Sequence, residues 1–145
     1  MRTESGRVIR LEDYRPSDYL IPATEITFRL SPERTEVHST LTVRHREPVQ
    51  GASALVLDGD ALELLGVSID GRRLGEKEFS ASPSRLEIHA PPRTTEFRLE
   101  IRTRIAPAGN TELMGLFRSN EVYCTQCEAE GFRRITYFLD RPDIL

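Results

Sequence analysis

The chain has 145 residues, the size of one domain, and a domain of that size buries ~70% of its unfolded surface in a real core. Its net charge is -3 and its basic residues are almost all arginine, with Lys77 the only lysine. Without a basic stripe or interleaved aromatics, no nucleic-acid partner is expected. No apolar run approaches the ~18 residues of a membrane span, so no membrane partner is expected either. Met1–Ile9 lacks the apolar core of a signal peptide, which makes a cytoplasmic chain with reduced cysteines the expectation.

Residues 1–12 are charged and aperiodic and read as a loose arm. Tyr14-Arg-Pro-Ser-Asp-Tyr19 sets two aromatics around a proline and reads as a docked loop. Ile26, Phe28 and Leu30 then alternate with Thr27 and Arg29, the pattern of a strand with one buried face. After the turn Ser31-Pro-Glu-Arg34, Val37, Ser39, Leu41 and Val43 alternate with His38, Thr40, Thr42 and Arg44, closing an antiparallel hairpin.

Ala54–Leu57 is a continuous apolar run, predicted as a strand covered on both faces. Asp58-Gly-Asp60 turns the chain into a strand from Leu62 to Ile69, and Asp70-Gly71 signals a tight hairpin. Glu78–Ser80 and Arg85–His89 read as short strands around Ser82-Pro-Ser84, ended by Pro91-Pro92. Phe97, Leu99, Ile101 and Thr103 alternate with Arg98, Glu100, Arg102 and Arg104 in the clearest strand of the chain, which Pro107-Ala-Gly-Asn110 breaks. Phe132, Ile135 and Leu139 suit a helix of one or two turns near 130–136. The predicted fold class is all-β, mostly antiparallel, as a two-layer sandwich or saddle over residues 1–145.

The last quarter departs from this alternation. It holds both cysteines, Cys124 and Cys127, and the hydrogen-bonding side chains Gln126, Glu128 and Glu130. If Thr125–Glu130 is extended, those three share one face, while Cys127 and Ala129 point inward. The plain alternative is a solvated polar loop with cysteines filling small gaps in the core. Cys124-Thr-Gln-Cys127 has half the spacing of a zinc site, but there is no second cysteine pair, and His38, His45 and His89 fall on separate predicted strands. A redox pair would call for a βαβ setting that this sequence does not supply. No His-Glu-x-x-His occurs, and no Ser or Cys sits in a nucleophile motif. On these residues the chain is expected to hold no metal and not to be an enzyme by itself.

The run Tyr123-Cys-Thr-Gln-Cys-Glu-Ala-Glu-Gly-Phe-Arg-Arg-Ile-Thr-Tyr137, continued by Phe-Leu-Asp-Arg-Pro-Asp143, resembles the N-terminal domain of bacterial aminopeptidase N, a zinc metallopeptidase of the gluzincin type. Asp13–Tyr19 and Asn110–Ser119 carry a weaker likeness, so the resemblance runs the length of the chain. It implies an incomplete N-terminal β domain that stops before the catalytic domain. The zinc ligands and general base would then lie in that domain of the same polypeptide. By the same resemblance, Gln126 and Glu128 are the candidate substrate-binding residues, receiving the free amino end of a peptide, and Glu130 and Arg133 hold the segment in place. No catalytic residue and no metal ligand is expected in this chain. A shortened sheet would leave an edge uncovered and invite a homodimer. The competing reading is a free-standing β-sandwich interaction module without catalysis.

Overall fold

A computed structural model describes residues 12, 14–46 and 53–144. The loose arm expected at the start falls almost wholly outside them. Ten strands account for half of the described chain. A five-stranded antiparallel sheet has the order β1 (Tyr19–Arg29), β2 (Thr35–His45), β8 (Glu96–Ile105), β4 (Glu63–Ile69), β5 (Arg72–Arg73). A three-stranded sheet has the order β3 (Leu55–Asp58), β7 (Arg85–Ile88), β6 (Phe79–Ser82). The ribbon β9 (Gly115–Ser119) and β10 (Val122–Gln126) stands apart from both. The all-β, antiparallel class read from the sequence is therefore the fold.

Alternation built the centre of the large sheet. Leu41 of β2 pairs with Leu99 of β8, which pairs in turn with Ile69 of β4, and Ser39 pairs with Ile101. Val37, Leu41, Val43, Phe97, Leu99 and Ile101 are all buried on one face, and Leu55, Leu57, Leu86 and Ile88 of the small sheet join the same core. Each such side chain contributes roughly 1.5–3 kcal/mol on leaving water. The Asp70-Gly71 hairpin has positive φ at both central residues, 50° and 78°, as a two-residue type I′ turn demands.

Two burial expectations change. Phe28 and Leu30 are 37% and 54% exposed, and Ile26 is only half-buried. β1 is an edge strand of its sheet, and the contacts of the 135–136 segment to this sheet fall on β2 and β8 among the described residues: the Ser39 and Thr136 hydroxyls lie 2.7 Å apart, and Thr103 Oγ1 donates to the Ile135 carbonyl. β3, predicted as covered on both faces, is fully buried only on the face of Leu55 and Leu57; Val56 is half-buried.

The loop at Tyr14–Tyr19 is docked as expected. Arg141 donates to the Arg15 carbonyl at 2.6 Å and stacks 5.7 Å from the Tyr14 ring. The short helix predicted near 130–136 is a single 3-10 turn, Phe132–Arg134, after which Ile135–Tyr137 enters the core.

Candidate functional site

The ribbon β9–β10 was not legible as a hairpin. Its turn, Asn120-Glu121, contains no glycine, and Asn120 itself takes φ 53°. β10 ends at Gln126, directly opposite Gly115. Here the expected extended run to Glu130 is corrected. Instead of continuing as a strand, the chain folds into a turn closed by the Gly131 N–H donating to the Cys127 carbonyl at 2.8 Å. The Glu128–Ala129 peptide bond within it is cis. Gln126, Glu128 and Glu130 therefore do not line one face of a strand, and Ala129 is exposed rather than inward. Cys127 does pack against the core.

What brings Gln126 and Glu128 together is the turn itself. Gln126 Nε2 donates to the Glu128 carbonyl at 3.2 Å, which leaves the amide oxygen as the group with outward acceptor capacity. Both side chains are exposed, and no ion pair among the described residues engages the Glu128 carboxylate.

The base of the turn is built differently. Arg133 donates from Nε to the Asp140 carboxylate at 3.0 Å and from Nη2 to the Asp140 carbonyl at 2.8 Å, and its backbone N–H reaches the same carboxylate at 3.1 Å. Glu130 pairs with Arg133 at 3.3 Å from a mostly exposed position. The Arg133 carbonyl accepts from the Asp60 N–H, and Arg134 donates to the Asp60 carboxylate at 2.6 Å. Asp58 and Phe138 exchange backbone hydrogen bonds at 2.8 and 3.0 Å, tying the segment to β3. Burial raises the Asp58 carboxyl above its ordinary range, against the opposing pull of Arg133. Burial also pushes the Cys127 thiol up, with Asp140 adding to the effect, which is the wrong direction for a nucleophilic thiolate.

Two of the three histidines serve the fold, and His38 is exposed. His45 meets the Pro92 carbonyl at 2.9 Å, and His89 lies between Ser80 and the Lys77 carbonyl at 2.7 and 3.0 Å. Among the described residues, no three His, Cys, Asp or Glu side chains converge as a metal site, so a zinc ion has no fitting ligand set here. No helix among them is long and apolar enough to cross a membrane.

Fold and turn together define an all-β, mostly antiparallel unit that carries an exposed carboxylate and amide at the head of its C-terminal segment. The chain belongs to the peptidase M1 N-terminal domain family, whose model matches residues 15–145. It is 44% identical to aminopeptidase N of Caulobacter vibrioides over 149 aligned positions, covering 100% of this chain and 16% of that protein. It is also 44% identical to aminopeptidase N of Escherichia coli, covering 92% of this chain and 15% of that protein. Among solved structures, aminopeptidase A of Legionella pneumophila, crystallised with aspartic acid, superposes with a TM-score of 0.84 at 33% identity over 93% of this chain and 16% of that one. An M1 zinc metallopeptidase of Deinococcus radiodurans shares the fold with a TM-score of 0.70 at 19% identity, covering 88% of this chain and 30% of that one. The chain thus spans about one sixth of the length of the curated relatives it matches.

Proposed function

We propose that this chain is the N-terminal β domain of a zinc-dependent aminopeptidase, and that its Gln126–Glu128 turn receives the free amino end of the peptide substrate. The observation that carries this reading is the turn. A carboxylate with no ion pair among the described residues and an amide oxygen sit exposed on a backbone held from below by Arg133, Asp140 and Asp60. An ammonium arriving at a site shielded from water requires acceptors, and a charged acceptor gives the stronger bond. Glu128 supplies the charge and Gln126 a second, neutral acceptor. The hydrolytic step belongs to a catalytic domain of the same polypeptide, which packs against this one. Zinc, as in the Deinococcus metallopeptidase, would be held there, where it polarises the scissile carbonyl and activates water. In this division of labour the β domain orients the peptide and contributes no group to bond cleavage. By itself the chain is expected to be inactive.

Reading the gene past codon 145 tests this first. A His-Glu-x-x-His followed later by a glutamate supports the proposal, and a stop codon supports a free-standing interaction module. With the longer protein in hand, the expected result is turnover of peptides bearing a free amino end and loss of turnover on their acetylation. Equal turnover of acetylated peptides contradicts it.

A further inference from the structure

We infer that Gly131 and Gly115 are positioning residues for the Gln126–Glu128 turn, acting through the backbone without touching a ligand. This role presupposes the amino-end reading above and adds to it what sets the height of the two acceptors.

Gly131 has φ -91° and ψ -15°, a conformation open to any residue. Conformation therefore does not demand glycine there, but space does. A Cβ on Gly131 would lie 2.6 Å from the Gln126 carbonyl oxygen and 2.8 Å from the Cys127 Cα. Both obstructing atoms are main chain, and both belong to the entry of the turn. To restore ordinary contact near ~3.5 Å, that backbone must retreat by roughly 1 Å. Gly115, at φ 72° and opposite Gln126 in the ladder, closes the other side: its Cβ would meet Arg134 Cβ at 2.6 Å and the Gly131 carbonyl at 3.2 Å. The two glycines let three backbone segments interlock, and the recognition turn rests on that interlock.

Gly59 shows what a glycine serving the fold looks like. Its Cβ would strike the ring of Tyr137, a fully buried core residue, at 2.7 Å. At Gly131 the displaced residues, Gln126 and Cys127, are exposed and half-buried. The strain there is passed to the site, whereas at Gly59 it is passed to the core. Gly66 on β4 provides the neutral case, because nothing lies within 4 Å of its Cβ position.

The test uses the full-length aminopeptidase carrying Gly131→Ala, Glu128→Gln, the two together, and Gly59→Ala and Gly66→Ala for comparison. Gly131→Ala is expected to lower kcat/KM for free-amine peptides by about 10- to 100-fold, the cost of a misplacement near 1 Å. Its melting temperature should fall less than that of Gly59→Ala, and Gly66→Ala should be silent in both. On the Glu128→Gln background, Gly131→Ala should add little further loss, because both changes damage one interaction. An unchanged kcat/KM for Gly131→Ala, or a loss that adds in full to that of Glu128→Gln, overturns the positioning role. If Gly131→Ala does not fold, Gly115→Ala is judged on the same readouts, and failure of both to fold makes them glycines of the fold and overturns the role. A silent Glu128→Gln removes the amino-end reading itself. An impaired Glu128→Gln beside a silent Gly131→Ala removes only the positioning role.

Discussion

The β2–β8 seam and the segment from Gln126 to Asp140 are held by different physics. At the seam, Leu41, Leu99 and Ile101 meet across a regular ladder with no exposure, and stability scales with apolar area removed from water. In the C-terminal segment the backbone follows no ladder beyond Gln126. Ile135, Tyr137 and Leu139 anchor its later part in the core, while the turn itself is fixed by single contacts, Arg133 on Asp140, Arg134 on Asp60 and Gly131 against Gln126. The first region tolerates change in proportion to volume. In the second, one atom in the wrong place moves the turn. The comparison teaches that the sheet core and the turn are held by separable sets of contacts.

The largest effect is expected at the seam. Leu99→Ala should destabilise the chain by about 2–5 kcal/mol in denaturant titration, since a large buried side chain leaves a cavity at the centre of the sheet. A loss under about 1 kcal/mol would show that the sheet centre can collapse around the gap.

Where the two regions meet, the Ser39 and Thr136 hydroxyls lie 2.7 Å apart and both residues are fully buried. Thr136→Val keeps the shape but leaves Ser39 with only its longer contact to the Ile101 carbonyl at 3.4 Å. About 1–3 kcal/mol of stability should be lost. If the loss is negligible, the segment is not anchored on the seam through this pair.

Tyr137 gives the contact between the regions a pH signature. Its buried hydroxyl donates to the Ser82 carbonyl at 2.6 Å, and burial pushes its pKa up to about 12 from 10.0. Because the folded value is the higher one, the contribution is fully present below pH ~10 and is lost as pH rises toward 12. Tyr137→Phe should flatten that alkaline decline in stability. Tyr19 is shifted upward too, so part of the slope should survive. At neutral pH the variant should lose about 1 kcal/mol with its hydrogen bond. A wild-type chain equally stable at pH 9 and pH 12 would contradict this account of the contact.

How much of this was legible in sequence divides along the same line. β2 and β8 were readable because alternation over eight or more residues admits one interpretation, and the structure keeps their inward sets intact. Phe28 and Leu30 were misread because alternation assigns a face without saying whether anything covers it. The β9–β10 ribbon was missed because Asn120 takes the left-handed conformation that glycine usually advertises. Gln126 and Glu128 are marked by resemblance, not by periodicity, and they lie at a strand end and on a turn, not along one extended strand. Nothing in a hydrophobic pattern announces that Gly131 is required by a main-chain oxygen at 2.6 Å.

The smallest effect on stability is expected at the rim. Phe28 on the edge strand β1 and Leu30 just past its end are exposed, so replacing both with serine should change stability by no more than about 0.5 kcal/mol. We propose that this edge drives self-association of the chain in isolation, through the uncovered strand and its apolar face. Light scattering should show the wild-type chain as a dimer and the doubly substituted chain as a monomer. A clean wild-type monomer at high concentration counts against it.

The separation of recognition from stability is tested most directly by Glu128→Gln in the full-length aminopeptidase, with kcat/KM and melting temperature measured on the same preparation. A charge-assisted bond to the substrate ammonium is worth about 1.5–3 kcal/mol. The account therefore predicts a fall of about 10- to 150-fold in kcat/KM for free-amine peptides, with no change in melting temperature. An unchanged kcat/KM, or a loss of activity that tracks a loss of stability, would contradict it.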